Sequence, residues 1–322
     1  MNARTLPVAI LLAISAVPVC GQPGQVGGPV IGFVFDGSVA ALRPILGIPG
    51  ASTLGAPLDA GFELSWATVA PRQDSSIAVD SSGAVHLLRL GSGVSETRCG
   101  ACPSTADGAV FSPSGTAVAL YAAGRVQIVT GLPDAPVSGA SFEVASFARA
   151  ARGRTLAPPM ALSDDGAWLL ASTRDSVELF AANGGPRRLL ATGAYPLVAF
   201  AAGSHDAAIA DVRGAALVLF HDVAGASTGQ RLAAPGDIRY AGALAFSADG
   251  GRLLLASAAE QSVAVIDLAS GTRTVAACDC APTGLAAMGN VMRLNEAGNG
   301  PLWLLDDEAA AEPRVVFVPA AQ

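Results

Sequence analysis

Short apolar runs alternate with small polar turns along most of the chain, and the turns share a recurring phrase. Each copy consists of an apolar residue, a small polar turn and a glycine, and copies stand at residues 79–83, 111–115, 162–166 and 246–250. A β-rich run follows every copy, as in the first hairpin of a propeller blade. The pattern therefore predicts an all-β fold made of repeats.

The spacing of the copies indicates a β-propeller. The copies that start at residues 162 and 246 lie 84 residues apart, which is two units of about 42 residues and suits a blade of four strands. The copy missing between them is expected near residue 204, where residues 200–206 form a degenerate version. The runs predicted to form the third strand of each blade recur with the same period, at residues 85–88, 126–129, 177–180 and 217–220.

Grouped by this period, the apolar runs form seven successive units of similar length. We predict a propeller of seven four-stranded blades, with six and eight blades as the alternatives. The units span residues 30–59, 62–98, 104–147, 155–192, 195–234, 239–277 and 281–320.

One unit carries a family resemblance. Residues 246–275, with the sequence FSADGGRLLLASAAEQSVAVIDLASGTRTV, resemble the YVTN-type repeat of secreted bacterial β-propellers, which are similar to WD-repeat proteins. The sequence Leu-Leu-Ala-Ser at residues 254–257 stands where that family has its name-giving tetrapeptide. The resemblance implies a ring of blades in an exported protein. Such rings serve enzymes, cofactor carriers and binding surfaces alike, so the fold does not give the function.

The first unit lacks an obvious inner strand. Residues 30–36 and 39–46 align best with the second and third strands of a blade, so another segment is needed to complete it. The C-terminal residues 315–319 resemble residues 110–113. We therefore expect the ring to be closed by pairing of the N- and C-terminal strands, which leaves no open sheet edge between the ends.

The N-terminus resembles a secretory signal. One Arg precedes an apolar run at residues 6–19 that is too short to span a bilayer and is followed by small residues. We predict a signal peptide at residues 1–21, a flexible leader at 22–29 and one propeller domain at 30–322. Lipidation at Cys20 is an alternative, although the residues before it match a lipoprotein signal poorly.

The composition of the chain excludes several classes of partner and reaction. Apolar residues make up 51% of the chain and charged residues 14%, so a large core is available. The net charge of −7 and the pI of about 4.9 argue against a nucleic acid or an anionic membrane surface. No Lys occurs, which excludes Schiff-base catalysis and a phosphate-loop Lys. We expect a monomeric extracellular or periplasmic protein with no transmembrane segment.

Cysteine is the strongest candidate for chemistry. Four residues remain after the signal, in two close pairs at junctions between units: Cys99 with Cys102, and Cys278 with Cys280. The two junctions lie far apart around the ring, so a bond across it would exceed the distance that a disulfide requires. We expect two local disulfides. The alternatives are a thioredoxin-like redox centre, which normally opens a helix, and a zinc site.

Histidine and carboxylate groups offer weaker signals. A metal site built from His205, His221 and Asp211 requires three elements of one blade to converge, and turn-forming Asp is the simpler explanation. His86 is alone on a strand, where we expect it at the surface or between blades. Adjacent carboxylates, at 164–165 and 306–307, point to opposite faces of an extended chain and cannot share a substrate.

Other catalytic and cofactor-binding motifs are absent or lack the flanking strands and helices that they require. No Gly-x-Ser-x-Gly sequence occurs at a strand-to-helix elbow. The Gly-rich segment at residues 24–32 has no strand before it and no helix after it, which argues against a dinucleotide site. We therefore predict no catalytic, cofactor-binding or metal-binding residue.

The sequence as a whole favours an exported non-catalytic propeller that serves as a binding or scaffolding module for an unidentified protein or small molecule. The alternatives are a lactonase-like propeller hydrolase, with acidic and Asn side chains around a metal in the central channel, and periplasmic redox or cofactor carriage. A turn is needed in every blade and a functional site only once. Function is therefore expected where the repeat breaks: the cysteine junctions, the degenerate turn at 204–206, and the first and last blades.

Overall fold

The computed structural model describes residues 28–144, 148–149, 155–156, 158–193, 196–212, 216–232, 240–307 and 312–320. Within these residues the chain forms seven antiparallel sheets, the blades, and one two-stranded ribbon. This confirms the seven-bladed all-β architecture. Every strand of the seven sheets falls inside the unit predicted for it.

Six blades have four strands and the first has three. Blade 1 contains β1 (Val30–Asp36), β2 (Ala41–Ile48) and β3 (Ala51–Leu54). Blade 2 contains β4 (Leu64–Val69), β5 (Ser75–Asp80), β6 (Val85–Leu90) and β7 (Val94–Thr97). Blade 3 contains β8 (Gly108–Phe111), β9 (Ala117–Ala122), β10 (Arg125–Thr130) and β11 (Val137–Glu143). The ribbon, β12 (Ala148–Arg149) and β13 (Thr155–Leu156), follows blade 3.

The remaining four blades follow in chain order. Blade 4 contains β14 (Met160–Leu162), β15 (Trp168–Ser172), β16 (Ser176–Ala181) and β17 (Arg188–Thr192). Blade 5 contains β18 (Leu197–Phe200), β19 (Ala207–Asp211), β20 (Ala216–His221) and β21 (Thr228–Leu232). Blade 6 contains β22 (Ala243–Phe246), β23 (Arg252–Ser257), β24 (Ser262–Asp267) and β25 (Arg273–Ala277). Blade 7 contains β26 (Ala286–Met288), β27 (Val291–Arg293), β28 (Leu302–Asp306) and β29 (Arg314–Val318).

The core lies between the blades. In the described part of the chain, seven clusters of buried apolar side chains each join one blade to its neighbour. The second strands β5, β9, β19 and β23 are buried along nearly their whole length, because both of their faces pack against another blade. This explains why these runs are apolar at successive positions rather than at alternate ones.

The recurring phrase forms the turn between the first and second strands in blades 3, 4 and 6. In blade 6 the Ser247 hydroxyl donates to Asp249 at 2.5 Å and accepts the backbone N–H of Arg252 at 3.0 Å. Ser112 and Ser163 accept the N–H five residues later in the same way. The three glycines have φ between 68° and 73°, a region that glycine adopts without strain. The phrase is therefore a turn motif.

The copy at residues 79–83 is not in the first hairpin of its blade, and that assignment was wrong. It joins β5 to β6, at the opposite end of the blade, where the Asp80 carboxylate accepts the backbone N–H groups of Ser82 and Ala84. The first turn of blade 2 is instead formed by residues 70–74, which have a different composition. The two turns look alike in sequence because Asp, Ser and Gly favour both.

Among the described residues, blade 1 has no inner strand, as its sequence indicates. β3 contacts β29, the outer strand of blade 7, so β3 takes the outer position and β1 the second one. Asp36, at the end of β1, forms a parallel bridge with Ala297 in the loop between β27 and β28. The Asp36 carboxylate accepts hydrogen bonds from the backbone N–H and the hydroxyl of Ser38, as the Asp80 carboxylate does from Ser82 in blade 2. β1 and β2 thus match the second and third strands of other blades.

The predicted pairing of the N- and C-terminal strands is wrong. β29 pairs with β28 and is the outer strand of blade 7. The apolar pattern that suggested an inner strand fits an outer one equally well, and pairing with the preceding strand closes a much shorter loop. Packing joins the two ends instead, because Val34 and Ile45 of blade 1 contact a cluster that contains Leu304 and Val318 of blade 7.

Candidate binding cavity

The six inner strands β4, β8, β14, β18, β22 and β26 surround a central cavity of about 290 Å³. Its lining residues belong to these strands or lie next to them, and none of them carries a charged side chain. Apolar side chains dominate, among them Val110, Met160, Phe200, Leu244 and Met292. The volume is at the lower end of the range for small-molecule sites, roughly 300–1,000 Å³. The cavity therefore suits a small ligand with an apolar body.

A second cavity, of about 210 Å³, forms the mouth of the first. The two share lining residues at Pro71, Pro113, Phe200, Phe246 and Ala287, so they are continuous. The mouth lies at the end of the ring where the first turn of each blade is found. Its polar side chains come from these turns and include one charged group, whereas the polar side chains of the interior, Thr68 and Ser112, are uncharged. The site as a whole thus has a largely apolar, uncharged interior and a charged entrance.

Arg72 is the charged residue at the mouth. It belongs to the first turn of blade 2, where its Nη2 pairs with Asp74 Oδ2 at 2.8 Å. Both side chains are about two-fifths exposed. The carbonyl of Pro71 accepts the backbone N–H of Gly289 at 3.0 Å, which ties this turn to the first turn of blade 7. The amide of Asn290 lies at the same mouth.

Hydrogen bonds between turns hold the rim of the mouth. The Asp164 carboxylate accepts the backbone N–H of Ser114 in blade 3 and that of Gly203 in blade 5, each at 2.6 Å. One side chain of blade 4 therefore joins the first turns of three successive blades. A rim fixed in this way reduces the ordering cost that a ligand has to overcome on binding.

The metal set considered from the sequence does not come together. His205 pairs with Asp165 at 2.9 Å and His221 with Asp206 at 3.1 Å. Asp211 lies at the far end of β19, where it is opposite the start of β20, whereas His221 is the last residue of β20. Within the described residues, no three His, Cys, Asp or Glu side chains are placed to hold a metal ion.

The degenerate turn of blade 5 lines a groove between blades 5 and 6. The groove has a volume of about 470 Å³, and Ser204, Asp206, His221 and Asp249 contribute to it. Hydrogen bonds to Asp206 and Gln230 raise the pKa of His221. The expected break in the repeat therefore does coincide with a surface depression, but each of its ionisable groups already has a partner inside the protein.

His86 is not isolated on its strand. Its Nδ1 lies 2.8 Å from Glu96 and its Nε2 lies 3.0 Å from Asp80, while Phe62 stacks on the ring at 4.0 Å. Burial favours the neutral ring, but the hydrogen bonds to Glu96 and Asp80 outweigh it and raise the pKa of His86. The Ser82 hydroxyl and His86 lower the pKa of Asp80. The arrangement stabilises blade 2, and both ring nitrogens are occupied.

The adjacent carboxylates act separately, as expected. Asp164 binds the neighbouring turns, whereas Asp165 accepts the Ser163 hydroxyl at 2.6 Å and pairs with His205. Asp306 pairs with Arg314, whereas Asp307 is buried 3.5 Å from Arg252, and burial raises the pKa of Asp307.

Both cysteine pairs are disulfides. Cys99 and Cys102 join in the loop after β7 with an S–S distance of 2.06 Å, and Cys278 and Cys280 join after β25 at 2.10 Å. The two local bonds agree with the pairing expected from the sequence. The second is buried in the cluster between blades 6 and 7, and the first packs between blades 2 and 3. The signal peptide and Cys20 lie outside the described residues.

The sequence pattern does not point to Arg72, the charged residue at the mouth. The recurring phrase at residues 79–83 suggests that the first turn of blade 2 lies there, which leaves residues 70–74 outside the predicted ring of first turns. The correct signal was the period itself, because Val69, at the end of β4, stands about one repeat before Phe111 at the end of β8.

The fold resembles solved structures at low sequence identity. The crystal structure of a putative 6-phosphogluconolactonase from Bacteroides fragilis matches with a TM-score of 0.55 and 17% identity, over 90% of this chain and 97% of that one. A functionally unknown protein from Desulfotomaculum acetoxidans matches at a TM-score of 0.48 and 11% identity, over 78% of each chain. The first likeness supports the fold alone.

No protein-family model matches the chain, and the search of curated proteins found no match. The described residues include no helix with the length and apolar character needed to cross a membrane.

Proposed function

We propose that this protein is an exported, non-catalytic propeller that binds a small molecule with an apolar body in its central cavity. The observation that carries the proposal is the continuous pair of cavities along the ring axis, with an uncharged interior and a polar mouth. Ligand sites typically combine an apolar lining with a few polar groups that orient the ligand.

Export is supported by the N-terminal sequence and by the cysteines. The apolar run at residues 6–19 is typical of a secretory signal. Two disulfides in one chain favour an oxidising compartment, either the periplasm or the extracellular space.

A lactonase-like hydrolase has less support. Such a hydrolase requires acidic and Asn side chains around a metal in the channel. The described cavity lining offers no carboxylate, and the mouth offers Asn290 beside the cation Arg72. These residues do not fit a metal site, and we derive no catalytic step through one. Lactone hydrolysis that depends on stoichiometric calcium or zinc in purified protein would overturn the proposal.

The test uses a neutral apolar fluorophore, N-phenyl-1-naphthylamine, whose emission rises in apolar surroundings. We expect saturable binding with one site per chain. Ala286 lines the cavity and is half-buried, so Ala286→Phe is expected to fill the cavity and weaken binding at least about tenfold, the effect of roughly 1.4 kcal/mol. Ala245→Leu is the second variant, in case Ala286→Phe does not fold.

The matched control is Ala51→Leu, which adds bulk at an exposed position of β3. It is expected to bind the fluorophore as the wild type does. The proposal fails if the wild-type protein shows no saturable binding, or if folded Ala286→Phe and Ala245→Leu bind as tightly as Ala51→Leu.

A further inference from the structure

We propose that the ligand of the central cavity is an amphipathic carboxylate, with its apolar chain among the inner strands and its carboxylate at Arg72. This inference rests on the proposed function, since it requires that the cavity binds a ligand. It adds the chemical class of that ligand and the residue that selects it.

The first argument is the distribution of charge along the axis. The lining of the interior contains no charged residue, whereas Arg72 stands at the mouth that opens directly into it. A ligand that fills both cavities therefore meets apolar side chains over most of its length and a cation at one end. An anionic head group is the chemistry that complements this arrangement.

The second argument is the donor capacity of Arg72. A guanidinium has five N–H donors in a planar fork that matches a carboxylate. Asp74 accepts from Nη2 of Arg72, and its other oxygen accepts the Ser75 hydroxyl at 2.9 Å. Arg72 thus keeps donors for a second carboxylate, while Asp74 orients it and moderates its charge.

The third argument is that the other polar groups at the mouth do not compete for the anion. The Ser247 hydroxyl donates to Asp249, so it is engaged in its own turn. Asn290 adds an uncharged amide on the opposite side of the Pro71 to Gly289 hydrogen bond. Arg72 is therefore the residue that distinguishes an anionic from a neutral ligand.

The test compares three probes that share one chain, namely octanoate, 1-octanol and octylammonium, by isothermal titration calorimetry at constant ionic strength. We expect octanoate to bind several-fold more tightly than 1-octanol, and octylammonium to bind most weakly. Arg72→Met keeps the apolar stem and removes the charge. It is expected to weaken octanoate binding about fivefold to tenfold, and to change the dissociation constant of 1-octanol by no more than about twofold.

Two further variants make the assignment specific. Asp74→Asn removes the competing charge and is expected to strengthen octanoate binding without affecting 1-octanol. Arg125→Met removes an exposed Arg from an ion pair with Glu143 at the start of β10, away from the mouth, and is expected to change neither probe.

The outcomes separate this inference from the proposed function. In one outcome, 1-octanol binds and Ala286→Phe abolishes that binding, but octanoate binds no more tightly than 1-octanol and its affinity is unchanged in Arg72→Met. The carboxylate assignment is then wrong and the binding function stands. If none of the three probes binds although N-phenyl-1-naphthylamine does, the carboxylate assignment alone is wrong; if the fluorophore does not bind either, the proposed function fails as well.

Discussion

The side-chain carbonyl of Gln73 accepts the backbone N–H of Phe33 at 2.6 Å, and this bond links blade 2 to the inner edge of blade 1. Phe33 lies on β1, which pairs with β2 on one side and has no partner strand on the other side among the described residues. Gln73 belongs to blade 2, has φ of 63°, and also donates from its amide to the carbonyl of Ala70 at 3.1 Å. The Gln73 side chain thus satisfies one backbone N–H at the inner edge of the neighbouring sheet.

Replacing Gln73 by Ala is expected to destabilise the protein by about 1–3 kcal/mol, because the buried N–H of Phe33 is left unpaired. Gln73→Gly is expected to cost less, because glycine relieves the positive φ. The measurement is the free energy of unfolding in urea. Gln261→Ala is the matched control, since Gln261 also has positive φ but is exposed. Equal losses for Gln73→Ala and Gln261→Ala would contradict this role.

The junction of blades 7 and 1 depends on packing from β29. Val318 is fully buried in the cluster shared with blade 1, whereas its neighbour Phe317 is 54% exposed. Val318→Ala is expected to lower the free energy of unfolding by about 2–3 kcal/mol, and Phe317→Ala by much less. Thermal and urea melts of the two variants measure the difference. A larger loss for Phe317→Ala would show that outer-strand contacts, rather than the junction, hold the C-terminal strand.

Stability is expected to fall as the pH rises above about 6.5, the ordinary pKa of His. The pKa of His86 is higher in the folded state than in the unfolded state. Its contribution to the free energy of unfolding is therefore complete below the unfolded-state pKa and is lost as the pH rises through the folded-state pKa. His221 contributes with the same sign. We expect His86→Gln to flatten the dependence of the unfolding free energy on pH above about 6.5, and His221→Gln, at a more exposed site, to flatten it less. An unchanged slope in His86→Gln would refute the role of the Asp80 and Glu96 contacts.

Removal of the two disulfides is expected to have unequal effects. Each closes a short loop, which corresponds to roughly 2 kcal/mol in the chain-entropy model. Replacing Cys278 and Cys280 together by Ser is expected to cost more than replacing Cys99 and Cys102, because the former pair is buried between blades 6 and 7. Melting temperatures of the two double variants give the comparison, and the reverse order would contradict it.

The repeat made most of the fold predictable. Blades 3, 4 and 6 share a first turn with Ser and Gly at fixed positions, and the second strands β5, β9, β19 and β23 are apolar on both faces, so the period is visible in the residues themselves. The partner of β29 was not predictable in this way. Strand pairing at the ends depends on which edges are nearest in space, and apolar alternation reads the same in an inner and an outer strand.

The site was less predictable than the fold. Apolar inner strands look the same in sequence whether they enclose a cavity or pack solidly, because the cavity depends on how closely six strands approach the axis. Arg72 lies in a turn that lacks the recurring phrase, so only correct phasing of the repeat places it at the mouth. The contacts of His86 likewise join residues from β5, β6 and β7 and from the loop before β4, and no local sequence pattern reveals them.

The position of a bound ligand tests the central claim most directly. In a crystal structure of the protein with 8-bromo-1-octanol, the anomalous signal of bromine locates the chain without relying on its head group. We predict a bromine peak inside the cavity bounded by the inner strands, near Val110 and Met160. Peaks confined to the outer surface, or to the groove between blades 5 and 6, would contradict the assignment of the central cavity as the binding site.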